Sequence, residues 1–199
     1  MRTTLTLIAA FLALAVPASA GAPRFSKGYH GSITGHRTVS RGDTTTTSDR
    51  TVKGVRFKLY HVRLFEGGYT GFYAPTAGTV TFREKKTGPC TYSFEKTFAL
   101  RTGIQSRSEA VPFYLDKSPL ARFTYDANLR PKKTYSVTET CTFPPYEPET
   151  QEQTIEVPEL MRTGAKRGLP GRKLTGKYVY KDDFSDFKKS TTYRWTLAP

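Results

Sequence analysis

Histidines are the side chains of this 199-residue chain best suited to bind a metal. His30, His36 and His61 lie in its first third, and a hairpin turning near residues 45–46 would place His30 opposite His61, where the two could share a metal. No third ligand lies nearby in the sequence, and His30 and His36 are too far apart on an extended strand to chelate together. We therefore predict no metal site and histidines exposed on a strand surface.

Clustered aspartates are the second candidate for chemistry. "KDDFSDFKK" contains Asp182, Asp183 and Asp186. It lacks the alternating oxygen ligands and the turn glycine of a calcium loop, and adjacency alone does not set the separation that paired catalytic carboxylates need. We predict the polar tip of a hairpin, and clustering of these aspartates with His30, His61 or Glu66 in a cleft would instead indicate an enzyme.

Nucleophilic and phosphate-binding motifs are missing from the sequence. It has no Gly-x-Ser-x-Gly elbow, no His-Glu-x-x-His and no phosphate-binding Gly-x-x-x-x-Gly-Lys. We therefore predict no catalytic residue and no cofactor, although a catalytic triad can be assembled from scattered positions.

The stretch "RTGAKRGLPGRKLTGK" (162–177) contains six basic residues, four glycines and no acid. Its candidate anion-binding residues are Lys166, Arg167, Arg172 and Lys173. The alternative is a glycine-rich connecting loop, which we favour because six glutamates in 134–161 precede the stretch. No interleaved aromatic residues are available to stack bases, so we predict no nucleic-acid partner.

Residues 1–20 have the pattern of a secretory signal peptide. Arg2 precedes an apolar run (5–16) too short to span a bilayer, and Ala18-Ser19-Ala20 forms a small-x-small cleavage site. We expect export of one domain, residues 21–199, to the extracellular space, the cell-envelope exterior or the periplasm, with no transmembrane segment. Cys90 and Cys141 are then predicted to form a structural disulfide, because no Cys-x-x-Cys redox motif is present.

Positive charge dominates the chain and is unevenly distributed. The net charge is +14; residues 21–133 carry 20 basic and 8 acidic groups, and residues 162–199 carry 10 basic and 3 acidic groups. This excess attracts anionic partners over long range, so an anionic cell-surface polymer is the expected partner, with another extracellular protein as the alternative.

Period-two alternation of apolar and polar residues predicts an all-β fold. In "VRFKLYHVRLF" the apolar phase slips near Leu59 and Tyr60, which predicts a β-bulge. Alternation places Cys90 on the apolar face of one strand, and Cys141 and Phe143 on that of another, as for a disulfide between two sheets. About ten short strands favour a two-sheet sandwich, with an antiparallel barrel as the alternative. Two similar segments at the chain ends predict additional terminal hairpins.

"LRPKKTYSV" (129–137) resembles the tyrosine corner of fibronectin type III and related immunoglobulin-like domains. Leu129, Pro131 and Tyr135 match the informative positions of that nine-residue pattern. Cys141 follows the tyrosine by six residues rather than two, and no tryptophan lies between the cysteines, unlike true immunoglobulin domains. The resemblance implies an immunoglobulin-like or fibronectin-like sandwich whose chain crosses between the sheets at this corner.

We expect a secreted, non-enzymatic binding or structural module of the cell envelope or extracellular space, with a basic surface that attracts anionic polymers. The alternatives are a secreted hydrolase acting on envelope polymers and an inhibitor of a secreted hydrolase.

Overall fold

The computed structural model describes residues 24–65, 68–100, 113–117, 123–169 and 171–199, so the predicted signal peptide lies outside the described residues. The described regular structure consists of β-strands alone, and none of these segments is a helix that could span a membrane. The strands are β1 (Gly28–Arg41), β2 (Thr44–Phe65), β3 (Gly68–Thr87), β4 (Cys90–Ala99), β5 (Phe113–Lys117), β6 (Phe123–Leu129), β7 (Thr134–Cys141), β8 (Glu149–Glu156), β9 (Met161–Arg162), β10 (Lys166–Arg167), β11 (Leu174–Phe184) and β12 (Phe187–Ala198).

Two antiparallel sheets form the fold. The larger has the order β10-β6-β5-β3-β2-β1-β12-β11, and the smaller consists of β4, β7 and β8. They diverge at β3, whose residues 69–73 pair with β5 and whose residues 79–86 pair with β4. In the described chain the two end strands of the larger sheet do not pair with each other, so the sheet is open. The predicted all-β sandwich is confirmed.

The two hairpins predicted at the chain ends lie side by side, because β1 pairs with both β2 and β12. The β1–β2 hairpin turns at Gly42 and Asp43 rather than near residues 45–46. Gly42 has a φ of +52°, which glycine adopts without the steric cost of a side chain, whereas the β-branched threonines that follow favour strand. His30 therefore faces Arg56, and the predicted pairing of His30 with His61 is wrong.

The apolar core lies on the face of the larger sheet that is covered by the smaller sheet and by residues 157–163. Register shifts interrupt the alternation of β2 but do not bury all of its apolar side chains: Val62 and Leu64, which follow Leu59 in the apolar pattern, are 44% and 67% exposed. One shift falls between Leu59 and His61, which confirms the predicted bulge, and another surrounds Gly54, at φ +59°. Because of the Gly54 irregularity, Val52 and Val55 are both fully buried although they are three residues apart.

Cys90 and Cys141 form the predicted disulfide. They are directly opposite each other on the neighbouring strands β4 and β7, rather than bridging two stacked faces. The predicted burial of Phe143 is wrong: this side chain is 55% exposed. Since β7 ends at Cys141, Phe143 lies beyond the strand whose alternation would have turned it inward.

The chain crosses from the larger to the smaller sheet between β6 and β7. Leu129 is buried before the crossing, and the Tyr135 ring packs after it against Phe94 and Phe98, with centroids 5.3 Å and 6.2 Å away. The residues of the tyrosine-corner pattern therefore lie at a junction between sheets.

Candidate functional site

A surface groove of about 570 Å³ lies where β1 begins and β12 ends, and we name it the basic groove. It is lined by Ser26, Lys27, Gly28, Tyr29, His30, Arg56, Phe57, Lys58, Thr76 and Pro199. None of these residues has an acidic side chain, whereas four carry a basic side chain. The groove is open to solvent on one side, so it can admit a segment of a longer chain.

Strand register places the basic side chains of the groove on one face. Gly28 pairs with Lys58 and His30 pairs with Arg56, and directly opposed residues share a face of the sheet. Tyr29 and Phe57 alternate with them and point into the core, where they are 2% and 3% exposed. The same alternation that anchors the strands therefore presents Arg56 and Lys58 to solvent.

Backbone contacts hold the groove walls in place. The Leu59 N–H donates to the Lys27 carbonyl over 2.9 Å, and the Tyr73 hydroxyl donates to the Ser26 carbonyl over 3.0 Å. A Cβ on Gly31 would overlap the carbonyl oxygen of β12, so only glycine permits this approach of the two strands. The groove is therefore built on paired strands, which position side chains more firmly than a loop does.

The cations of the groove are not neutralised by neighbours. In the described part of the chain no carboxylate lies within 4.0 Å of Lys27, Arg56 or Lys58. Elsewhere on the sheet Arg83 pairs with Glu95 over 2.9 Å. Closely spaced cations without an ion-pair partner favour the binding of anions.

The four basic residues predicted from the 162–177 stretch do not form one site. Lys166 and Arg167 form β10 against β6. Arg172 and Lys173 follow Gly171, whose backbone lies beside the Tyr29 hydroxyl on the core side of the larger sheet. Burial raises the pKa of this hydroxyl, with smaller opposing contributions from Gly171 and Tyr73. Neither Arg172 nor Lys173 is among the residues that line the basic groove.

The three histidines lie in separate surroundings. His30 lines the basic groove, His36 Nδ1 lies 2.7 Å from Asp49 Oδ1, and the His61 ring stacks on Phe72 with centroids 4.4 Å apart. One group of potential metal ligands occurs in the described ranges, namely Cys90, Cys141 and Glu139. The two cysteines are joined in the disulfide, so neither offers a thiolate to a metal.

The aspartates lie at the far tip of the β11–β12 hairpin. Asp182 accepts a hydrogen bond from Tyr180, and Asp186 lies 4.0 Å from Arg41. Asp182 pairs with Lys189, which pairs with Val39 of β1, nine residues and about 30 Å along the strand from His30. Glu66 lies outside the described residues. The described side chains that would have indicated an enzyme therefore do not meet in one cleft.

No protein-family model matches the chain, and no curated protein or solved structure is similar to it. The chemistry of the site therefore rests on its own side chains.

The sequence did not identify Lys27, His30, Arg56 and Lys58 as one set. A usable signal was present in "VRFKL", where cations alternate with buried apolar residues on β2. Whether Arg56 and Lys58 lie next to Lys27 and His30 depends on the register of β1 against β2. That register depends on where the hairpin turns.

Proposed function

We propose that this protein is an exported, non-enzymatic binding module of the cell envelope or extracellular space, and that its basic groove binds segments of an anionic polymer. The observation that carries the proposal is the groove wall, where Lys27, Arg56 and Lys58 converge without an acidic side chain. The signal-peptide pattern of residues 1–20 and the disulfide support export, because disulfides persist in oxidising compartments.

The groove combines two kinds of cation. The guanidinium of Arg56 offers a planar fork for carboxylate, phosphate or sulfate oxygens, and the ammonium groups of Lys27 and Lys58 add point charges. The side chains of Tyr29 and Phe57 are buried in the core beneath the groove, so the strand backbone that carries the neighbouring cations is held in place.

Positive charge continues from the groove along the outer face of the larger sheet. Arg194 lies directly opposite Lys177 on β11 and opposite Thr34 on β1, about 13 Å along β1 from His30. Neither cation has a carboxylate within 4.0 Å in the described ranges. Directly opposed like charges destabilise a sheet, and an anion bridging them relieves the repulsion. A polymer seated in the groove can therefore extend onto this face.

Binding to three dextrans with the same backbone tests the proposal: dextran sulfate, carboxymethyl dextran and unmodified dextran. We expect both charged polymers to bind in 50 mM salt and the neutral one not to bind. Since each neutralised polymer charge contributes roughly 0.7 to the slope of log K against log salt for a flexible polyanion, three groove cations predict a slope of about −2 or steeper. Binding that is insensitive to salt, or equal for neutral dextran, would refute the proposal.

Charge-removal variants locate the binding surface. Arg56→Ser with Lys58→Ser should weaken the slope by roughly 1.4. A matched variant, Lys181→Ser with Lys188→Ser, removes the same charge near the other end of the same face and should leave the slope nearly unchanged. Equal losses in both variants would show a response to net charge alone and would refute the assignment to the groove.

The 162–177 stretch is tested by neutralising Lys166, Arg167, Arg172 and Lys173 together. None of these residues lines the basic groove, so their removal lowers only the long-range attraction, and a partial loss of affinity is expected without unfolding. A complete loss with an intact Arg56 and Lys58 would place the main site in that stretch instead.

A further inference from the structure

Two arginines lie on the inner face of the larger sheet. Arg50 of β2 is opposite Gly35 of β1, and Arg37 of β1 is opposite Ser48 of β2, so the arginines are diagonal neighbours. Arg50 is 1% exposed, which makes it the largest fully buried side chain among the described residues. Arg37 is half-buried. The basic groove is a different place, because His30 is seven residues and about 23 Å along β1 from Arg37.

Several nitrogen atoms of these arginines have no hydrogen-bond partner. Arg50 Nη1 donates to the carbonyl oxygen of Glu159 over 3.0 Å, and its Cζ lies 5.4 Å from the centre of the Tyr193 ring. Arg50 Nε, Arg50 Nη2 and Arg37 Nε are buried without a partner in the described structure. A buried donor left without a partner costs about 1–3 kcal/mol.

The neighbouring carboxylates do not contact the arginines, although Glu84 and Asp49 favour the charged form of Arg50 from a distance and so oppose the lowering of its pKa by burial. Glu84 accepts hydrogen bonds from the Ser48 and Tyr92 hydroxyls, one on each oxygen. Glu159 accepts one from the Tyr193 hydroxyl over 3.2 Å. Within the described chain no carboxylate oxygen lies within 4.0 Å of either guanidinium.

A guanidinium cannot relieve this situation by losing its proton. Burial lowers the pKa of Arg50, the Tyr193 phenol opposes this shift, and the charge of Arg37 adds to it, but an arginine stays protonated in proteins. The space beside the guanidinium is small: Gly35 leaves room for it, and even a Cβ built on Gly35 would lie 3.0 Å from Arg50 Nε. A small acceptor can satisfy these donors, and a small anion would in addition offset the two positive charges.

We propose that Arg50 and Arg37 together hold one small inorganic anion of the chloride class inside the sandwich. The anion accepts from Arg50 Nε and Nη2 and from Arg37 Nε, and it separates two like charges that otherwise repel. Its place beneath Glu159 and beside Tyr193 excludes polymer segments, so this site is independent of the basic groove.

Thermal unfolding at constant ionic strength tests the site, with chloride or bromide replacing gluconate, an anion too large to enter. A ligand that binds only the folded state raises the folded-to-unfolded ratio tenfold for each tenfold rise in its concentration above Kd. For a chain of this size that corresponds to a rise in Tm of about 3–5 °C per decade. A Tm that is the same in chloride and gluconate would overturn the proposal.

Variants separate the site from general salt effects. Arg50→Met and Arg37→Met should each abolish the chloride-dependent rise, whereas Arg56→Ser with Lys58→Ser should retain it. If Arg50→Met does not fold, Arg37→Met and the wild-type protein still decide the question. Equal chloride dependence in Arg37→Met and wild type would overturn the proposal.

Bromide supplies a direct readout on the wild-type protein. Crystals grown in bromide should show one anomalous peak within about 3.5 Å of Arg50 Nε. An ordered water at that position without an anomalous signal would overturn the assignment, even if bromide decorates surface lysines.

Discussion

The buried pair of Glu139 and Lys86 predicts an unequal response to removal of its two members. The Glu139 side chain is 1% exposed, accepts from Lys86 Nζ over 2.6 Å, and also accepts from the amides of Gln151 and Gln153. The Lys86 side chain is 20% exposed, so its ammonium can reach water if the pair is broken. The carboxylate has no such route.

Lys86→Met should therefore lower the free energy of unfolding more than Glu139→Gln does. Removal of Lys86 leaves a buried carboxylate without its counter-charge, which costs about 3–5 kcal/mol. Glu139→Gln loses a hydrogen bond between charged groups, worth about 2 kcal/mol, while the amides of Gln151 and Gln153 keep an oxygen acceptor. Adding Glu139→Gln to Lys86→Met removes the isolated charge, so the double variant should be more stable than Lys86→Met alone by about 1–2 kcal/mol.

Urea unfolding of the oxidised protein, followed by circular dichroism, measures the free energy of unfolding of the wild type, the two single variants and the double variant. From these costs the coupling between the two positions should be about 3–4 kcal/mol. Refutation would come from a double variant less stable than Lys86→Met, or from equal costs of the two single changes. Either result would mean that the carboxylate reaches water in the variant protein.

Three further predictions concern the framework. Replacing Cys90 and Cys141 by alanine should lower the free energy of unfolding by about 4 kcal/mol, because the disulfide closes a loop of 51 residues, and urea unfolding measures the loss. Burial raises the pKa of Tyr193 to about 12, whereas the phenol of the unfolded chain ionises near 10. The neutral Tyr193 therefore contributes its full stability below pH 10, and this contribution is lost as pH rises toward 12. Tyr193→Phe should reduce the loss of stability at alkaline pH by up to about 3 kcal/mol. Gly31→Ala should abolish folding because its Cβ overlaps a β12 carbonyl, whereas Gly54→Ala, which meets only the cost of a left-handed φ, should lose about 1 kcal/mol.

Local patterns were sufficient for much of the fold. The alternation in "VRFKLYHVRLF" predicted strand β2 and its bulge, and the even pair of cysteines predicted the disulfide. These features depend on residues close in sequence or on simple pairing, so sequence reasoning reaches them. The resemblance at Leu129–Tyr135 predicted that the chain crosses between the sheets there, while membership of an immunoglobulin-like family stays a prediction.

Features that depend on register could not be predicted. Placing the turn a few residues late paired His30 with His61, and the structure pairs His30 with Arg56 instead. Because one step of register exchanges the partners of a whole strand, the basic groove could not be assembled from the sequence.

Burial of charge was equally unreadable. Arg50 lies two residues before Val52 and Lys53 lies two residues before Val55, so alternation alone gives both a core-facing position, yet only Arg50 is buried. The face on which each side chain lies depends on the irregularity at Gly54. The burial of Arg50 depends on its contact with Glu159, which is more than one hundred residues away in the sequence.

The sequence by itself determined the all-β class, the disulfide, the signal-peptide pattern and an excess of positive charge. Each follows from composition or from short-range periodicity, which a chain carries before it folds. Only the tertiary structure decided which cations gather in the basic groove and which arginines enter the core. Those outcomes depend on strand register and on contacts between distant segments, where the free energy of burying or exposing a charge is set.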